Sequence, residues 1–223
     1  GFAAAVTGLE LWRVRKAVHA GVPHTLSFVP SRPADHPWLD ADTFREALAA
    51  LEAAGFGAIA DYTVDYPNAP EGLARVAVNT DVRIYAEVNQ VRHRGQTTPV
   101  AVTLTSMLED GWSLQTTTQE PFPVMVEFMC PDRAVWRSIP EASVSDVLAD
   151  PLTLRLQMSP DLGLRIGGDG SLDRYFELQR LGHEARRTAL AKTNVVKGIA
   201  RGIAAERKPR LQWFGEYAPP GTA

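Results

Sequence analysis

The spacing of apolar positions along the chain changes repeatedly, and each change marks a different kind of element. Between Leu39 and Ala54, Phe44, Leu48 and Leu51 recur at helical spacing. Asp40 or Asp42 is placed to cap this helix, Glu46 favours its positive end, and Gly55 supplies a stop. Beyond Gly55 the repeat shortens. Phe56–Val64, Leu73–Val78, Val82–Val91, Val100–Leu108 and Trp112–Thr118 are rich in Val, Ile, Thr, Tyr and Trp, and are predicted as strands. Asn79-Thr80-Asp81 and Glu109-Asp110-Gly111 are short polar breaks suited to hairpins, while Arg92–Pro99 is a longer polar loop. Short links make neighbouring strands antiparallel, so a meander is expected. In Val82–Val91, Val82, Ile84, Ala86 and Val88 alternate with Arg83, Tyr85, Glu87 and Asn89. One face is therefore expected to be buried under the first helix and the other to be at least partly wet.

The flanks read differently. Pro23, Pro30, Pro33 and Pro37 forbid regular helix over 22–38, which is predicted as an extended connector. Val124–Met129, between prolines, suits an edge strand. Ser143 and Asp146 signal a short helix to Ala149, and Leu152–Met158 alternates like a further strand. Ser171 caps a long helix from Leu172, weighted early by Tyr175, Phe176 and Leu178. Leu181, Ala185, Ala189, Val196, Ile199 and Ile203 lie near one of its faces and Lys197, Arg201 and Lys208 near another. Gly198 and Gly202 weaken it and Pro209 ends it. The expectation is an α+β protein: a helix packed on an antiparallel sheet of about five strands, a long C-terminal helix and an extended N-terminal arm. It divides into an N-terminal helix (1–21), the connector (22–38), an α+β domain (39–170) and a basic helix with an aromatic tail (171–223).

Composition supports a folded body: hydrophobic residues make up 45% and charged residues 22% of 223 residues. The net charge of −3 shows no general bias toward nucleic acid, but it is unevenly spread. Residues 180–210 hold nine Lys or Arg against Glu184 and Glu206, a balance of +7, which leaves −10 for the remainder. A single cysteine, Cys130, excludes an intramolecular disulfide and a cysteine metal cluster.

At the other end, Gly1–Leu11 is small and apolar apart from Glu10, and Trp12, Arg13, Arg15 and Lys16 follow at once. An apolar run closed by Trp and then by basic residues is the order in which a membrane helix leaves the bilayer on its cytoplasmic side. The run is shorter than the roughly 20 residues a span needs. It reads either as the end of a span or as an amphipathic helix.

Candidate chemistry is sparse. His19, His24, His36, His93 and His183 form no i, i+4 pair and no His-Glu-x-x-His, so no metal site is expected. Gly167–Gly170 precedes a helix, as an anion cradle can, but lacks the Lys-Ser or Lys-Thr of a phosphate loop and reads as a tight turn. Thr116, Thr117, Thr118 and Ser113 have no partnered base and read as packing on a wet strand face. Glu127 within Val124–Met129 is either a buried carboxylate or solvent-facing. No catalytic residue, metal ligand or cofactor is assigned.

The run Leu51…Gly55-Phe56 with Asp110-Gly111-Trp112-Ser113-Leu114-Gln115-Thr116-Thr117-Thr118 resembles a loose group of uncharacterised bacterial proteins. In these, one N-terminal membrane helix precedes an α+β domain with a similar pattern. The likeness spans about a third of the chain and implies no activity; it favours an anchored reading of residues 1–16.

Function is thus expected to be that of a non-enzymatic accessory or scaffold subunit, held to a membrane or membrane complex with its body in the cytoplasm. Phe2, Val6, Leu9 and Trp12 would form the anchor and Arg13, Arg15 and Lys16 its phosphate-level flank. Lys197, Arg201, Lys208, Trp213, Phe214 and Tyr217 would contact protein partners or the membrane; nucleic acid is unlikely given the charge. The alternatives are a soluble cytoplasmic small-ligand-binding domain, with its pocket between sheet and helix, and an enzyme of unrecognised type.

Overall fold

The computed structural model describes residues 25–65, 70–120, 131–192 and 212–218. The anchor and its flank, Val124–Met129 with Glu127, Cys130, and Lys197, Arg201 and Lys208 lie outside these residues.

The first helix forms where its sequence asks. Helix α1 (Ala41–Ala53) is capped by Asp40, whose side chain accepts from the Thr43 N–H, and Gly55 follows at φ +84°. Phe44 and Leu51 are buried, as a single apolar stripe requires. Each such side chain contributes about 1.5–3 kcal/mol through area removed from water.

The described strands are β1 (Ser27–Pro30), β2 (Gly57–Asp65), β3 (Glu71–Asn79), β4 (Ile84–His93), β5 (Gln96–Thr97), β6 (Ala101–Met107), β7 (Ser113–Thr117), β8 (Ala134–Ser138) and β9 (Gln212–Trp213). They make one sheet in the order β1-β2-β3-β4-β6-β7-β8-β9, with β5 paired to β4. The architecture is α+β, but the five-strand antiparallel sheet is corrected: nine strands are joined, and β7 pairs β8 in parallel. The five predicted strands are its centre. The additions are short pieces of two to five residues, too short for periodicity to show itself. The connector supplies one edge, with Pro30 on a strand that has a single neighbour, and the aromatic tail supplies the other.

A second correction concerns α2 (Val144–Leu162), which continues for 19 residues through Pro151 and absorbs both the short helix to Ala149 and the strand expected at Leu152–Met158. Ser143 and Asp146 form a reciprocal capping box, and Gly163 at φ +66° closes the far end. Its buried residues, Val147, Pro151, Leu154, Arg155 and Met158, follow the helical period. The alternating Leu156 is 78% exposed, so the strand-like alternation was incidental.

Helix α3 (Leu172–Lys192) begins at Ser171, whose hydroxyl accepts from the Arg174 N–H at 3.2 Å. It buries Tyr175, His183 and Leu190, while Leu181, expected on the apolar face, is half exposed.

The three helices cover the sheet from two sides. Phe44, Leu51 and Val147, from α1 and α2, pack on Leu73, Ala77, Ile84, Ala86, Val88, Val102 and Leu104. Tyr175 of α3 packs with Tyr62, Ala74, Val76 and Tyr85 on the opposite face. The face of β4 expected to be wet is therefore closed at Tyr85. A further core joins Leu108, Trp112, Leu114 and Val135 to Leu154, Met158 and Tyr217.

Candidate functional site

Glu87 projects from the central strand β4 toward α3, where hydrocarbon would be expected. Tyr62 from β2 donates its hydroxyl to Glu87 Oε2 at 2.5 Å, and Tyr175 from α3 donates to the same oxygen. Asn89 Nδ2 donates to Oε1 at 2.6 Å, and the two tyrosine oxygens are 3.3 Å apart. Three donors therefore converge on one carboxylate, which compensates its partial desolvation. Burial, followed by the charge of Glu87, pushes both tyrosines well above their ordinary pKa. They remain donors across the physiological range. This cluster fastens α3 to the sheet.

On the other face, Asp150 of α2 pairs with Arg137 of β8 and accepts from Thr116 Oγ1 at 2.6 Å. Thr116 and Thr117 are buried on opposite sheet faces, not on a wet one, and Thr117 bonds Thr103 at 2.9 Å. Their hydroxyls serve strand and helix packing. The Arg137–Asp150 pair sits at the wall of a groove of about 610 Å³, lined also by Glu141, Asp146, Thr153 and Gln157.

A second groove, of about 620 Å³, opens at the end of the sheet between the β3–β4 turn, the β6–β7 turn and the segment after α2. Arg83, Arg155 and Arg165 line it with Asp81 and Glu109. Arg155 is 8% exposed and donates from Nη1 to the Val82 carbonyl at 2.5 Å and to Ser106 Oγ at 3.3 Å. Sequence reading missed this arginine because it lies in Leu152–Met158, taken there as a strand. The helical period of α2 was the signal that would have placed it facing inward.

The remaining predicted positions resolve into local structure. His36 bonds Ser31 Oγ at 2.8 Å and meets Trp38 edge-on. Gly167–Gly170 is a turn: the Gly167 N–H donates to the Met107 carbonyl, and Asp169 accepts from the Ser171 N–H at 2.9 Å. Among the described residues no group of three or more His, Cys, Asp and Glu is arranged to hold a metal ion. No helix among them is long and apolar enough to cross a membrane.

The aromatic tail is docked on this chain's own body. Trp213 Nε1 donates to the Pro131 carbonyl at 3.0 Å, Phe214 packs on the core around Trp112, and Tyr217 donates to Asp161 Oδ2 at 2.7 Å. Burial, then that hydrogen bond, pushes Tyr217 up to about 12. The structure does not bring the tail together with the start of α3. Instead it brings the chain's entry there: Phe28 of β1 stacks on Phe176 of α3 at 4.5 Å, and the Arg180 guanidinium lies 5.4 Å from the centre of the Phe28 ring.

Compared with known proteins, the chain matches no family model, no curated protein and no solved structure.

Proposed function

We propose that this protein is a non-enzymatic accessory or scaffold subunit, held to a membrane or membrane complex through its N-terminal arm and its basic C-terminal segment. The observation that carries this reading is the meeting of β1 with α3 through Phe28, Phe176 and Arg180. It brings the strand that follows the apolar run and its flank of Arg13, Arg15 and Lys16 against the first helix of the basic segment. Phe28 and the start of α3 thus meet on one face of the sheet, and each element adjoins a basic stretch in the sequence. Such pairing suits an anionic surface, where an apolar anchor and nearby basic residues reinforce one another.

The tail adds support. Residues 193–211 carry Lys197, Arg201, Arg207, Lys208 and Arg210 against Glu206 alone. The chain before them is fixed by Tyr175, His183 and Leu190, and the chain after them by Trp213 and Tyr217. Trp213, Phe214 and Tyr217 act in this reading as the fastening of the basic stretch, and Lys197, Arg201 and Lys208 as its contact residues.

Full-length protein in which Lys197, Arg201 and Lys208 are all changed to Glu tests this reading. Its association with vesicles containing anionic lipid, or its recovery with native partners, should fall by more than about tenfold at moderate salt, since each basic residue near such a surface contributes about 1 kcal/mol. Unchanged association would rule the basic stretch out as the contact.

A further inference from the structure

Arg155 is a buried cation whose described partners are neutral. Its hydrogen bonds go to a carbonyl and a hydroxyl. Arg45, Arg75, Arg92, Arg137 and Arg174 each have a carboxylate within 4.0 Å, and among the described residues Arg155 has none. A guanidinium taken out of water without a counter-charge costs several kcal/mol in effective terms. Arg83 makes the position more positive still, and burial followed by this neighbour lowers the pKa of Arg155. Arg83 is itself held at φ +52°, a left-handed conformation that costs an ordinary residue about 1–2 kcal/mol.

The groove these residues line carries three guanidiniums and two carboxylates, a balance of +1. Glu109 is directed by its Oε2, which accepts from the Arg165 N–H at 3.2 Å. We propose that this groove binds a small monocarboxylate bearing a hydroxyl or amine, with its carboxylate on Arg155. One carboxylate neutralises the site, whereas a phosphate dianion would overshoot it beside Asp81 and Glu109. A guanidinium can meet a carboxylate with two parallel N–H bonds, and Arg83 and Arg165 supply further donors at the rim. Asp81 and Glu109 are acceptors for the ligand's hydroxyl or ammonium protons. The inference concerns a site at the end of the sheet and does not rest on the proposed partner role.

The test uses the full chain and glycolate as the probe. Heteronuclear NMR of the arginine Nε–H groups follows a titration at fixed ionic strength, with chloride and phosphate as parallel titrations. Arg155 should shift saturably with glycolate, stay unmoved in chloride and respond more weakly to phosphate. Because Arg155→Met also strips buried hydrogen bonds from the Val82 carbonyl and Ser106, Arg83→Gly and Arg165→Gln carry the mutational arm. Arg83→Gly also relieves the left-handed backbone, so it leaves the fold intact while removing one cation. Each should weaken glycolate binding by about threefold to tenfold, the worth of one solvent-exposed rim hydrogen bond. A linear response, an equal response to chloride, preference for phosphate, or binding unchanged in both variants would overturn the proposal.

Discussion

Tyr175 and Glu87, 88 positions apart in sequence, share a hydrogen bond that crosses from α3 to the middle of the sheet. Tyr62 donates to the same carboxylate oxygen, so the helix and two strands meet at one charge. Tyr175→Phe keeps the ring and removes one donor. It should cost about 1.5–3 kcal/mol, the worth of a hydrogen bond to a charged group, measured as a lower urea midpoint with unchanged slope. In a double-mutant cycle with Glu87→Gln, which removes the carboxylate charge, the two changes should be less than additive, because both weaken the same charge-assisted contact. Full additivity would show that the pair does not couple.

The tyrosines give a pH dependence. Tyr62, Tyr85, Tyr175 and Tyr217 are all raised above the usual value near 10, in each case with burial as the first cause. Because the folded state holds these protons more tightly than the unfolded state, their stabilising contribution is complete below about pH 10. For Tyr217 it is lost as pH climbs through about 12. Denaturant midpoints should therefore be insensitive to these groups up to about pH 10 and fall above it. Phenolate absorbance of the folded protein should lag that of the unfolded chain. Simultaneous ionisation in both states would contradict the buried placement.

Gly215, at φ +56°, turns the tail after β9, and a Cβ there would overlap the Asp132 carbonyl. Gly215→Ala combines that overlap with a left-handed backbone. It should release Trp213, Phe214 and Tyr217 from their sites while leaving the β2–β7 centre folded. Limited proteolysis should cut the tail sooner, and the Tyr217 phenol should titrate nearer the ordinary value. An unchanged cleavage pattern would show that the tail tolerates the change.

Asp150 holds Arg137 and Thr116 together beneath α2. Asp150→Ala should cost about 2–3 kcal/mol, between the values for exposed and buried pairs, because Arg137 loses its counter-ion but is part-exposed at the groove wall. Thr116→Val, which removes a hydrogen bond to the same carboxylate but leaves the ion pair, should cost about 1.5 kcal/mol, and thermal unfolding should place it above Asp150→Ala in stability.

The centre of this fold was legible because its signals are local. Phe44 and Leu51 on α1, and the meander from Phe56 to Thr118, were read from spacing and turn residues alone. What escaped has a physical cause in each case. The helix signalled by Ser143 and Asp146 was ended at Ala149, and the alternation over Leu152–Met158 suggested a strand, but burial of Leu154 and Met158 against Val135 and Leu114 selected the helical period. β8 escaped because a parallel partner needs the chain to travel back along the sheet, which no local pattern encodes. Glu87 was read as solvent-side, since only the packing of Tyr175 from a distant helix closes that face. Arg155 was hidden within the misread segment, so its groove could not be foreseen.

Fractionation of the native full-length protein with its membranes tests the central claim most directly, using a high-salt wash and then detergent, with mass spectrometry of what leaves alongside it. Retention through salt and release in detergent with a fixed set of partners is the expected result. Recovery of the protein alone in the first aqueous fraction would contradict the account of an anchored subunit.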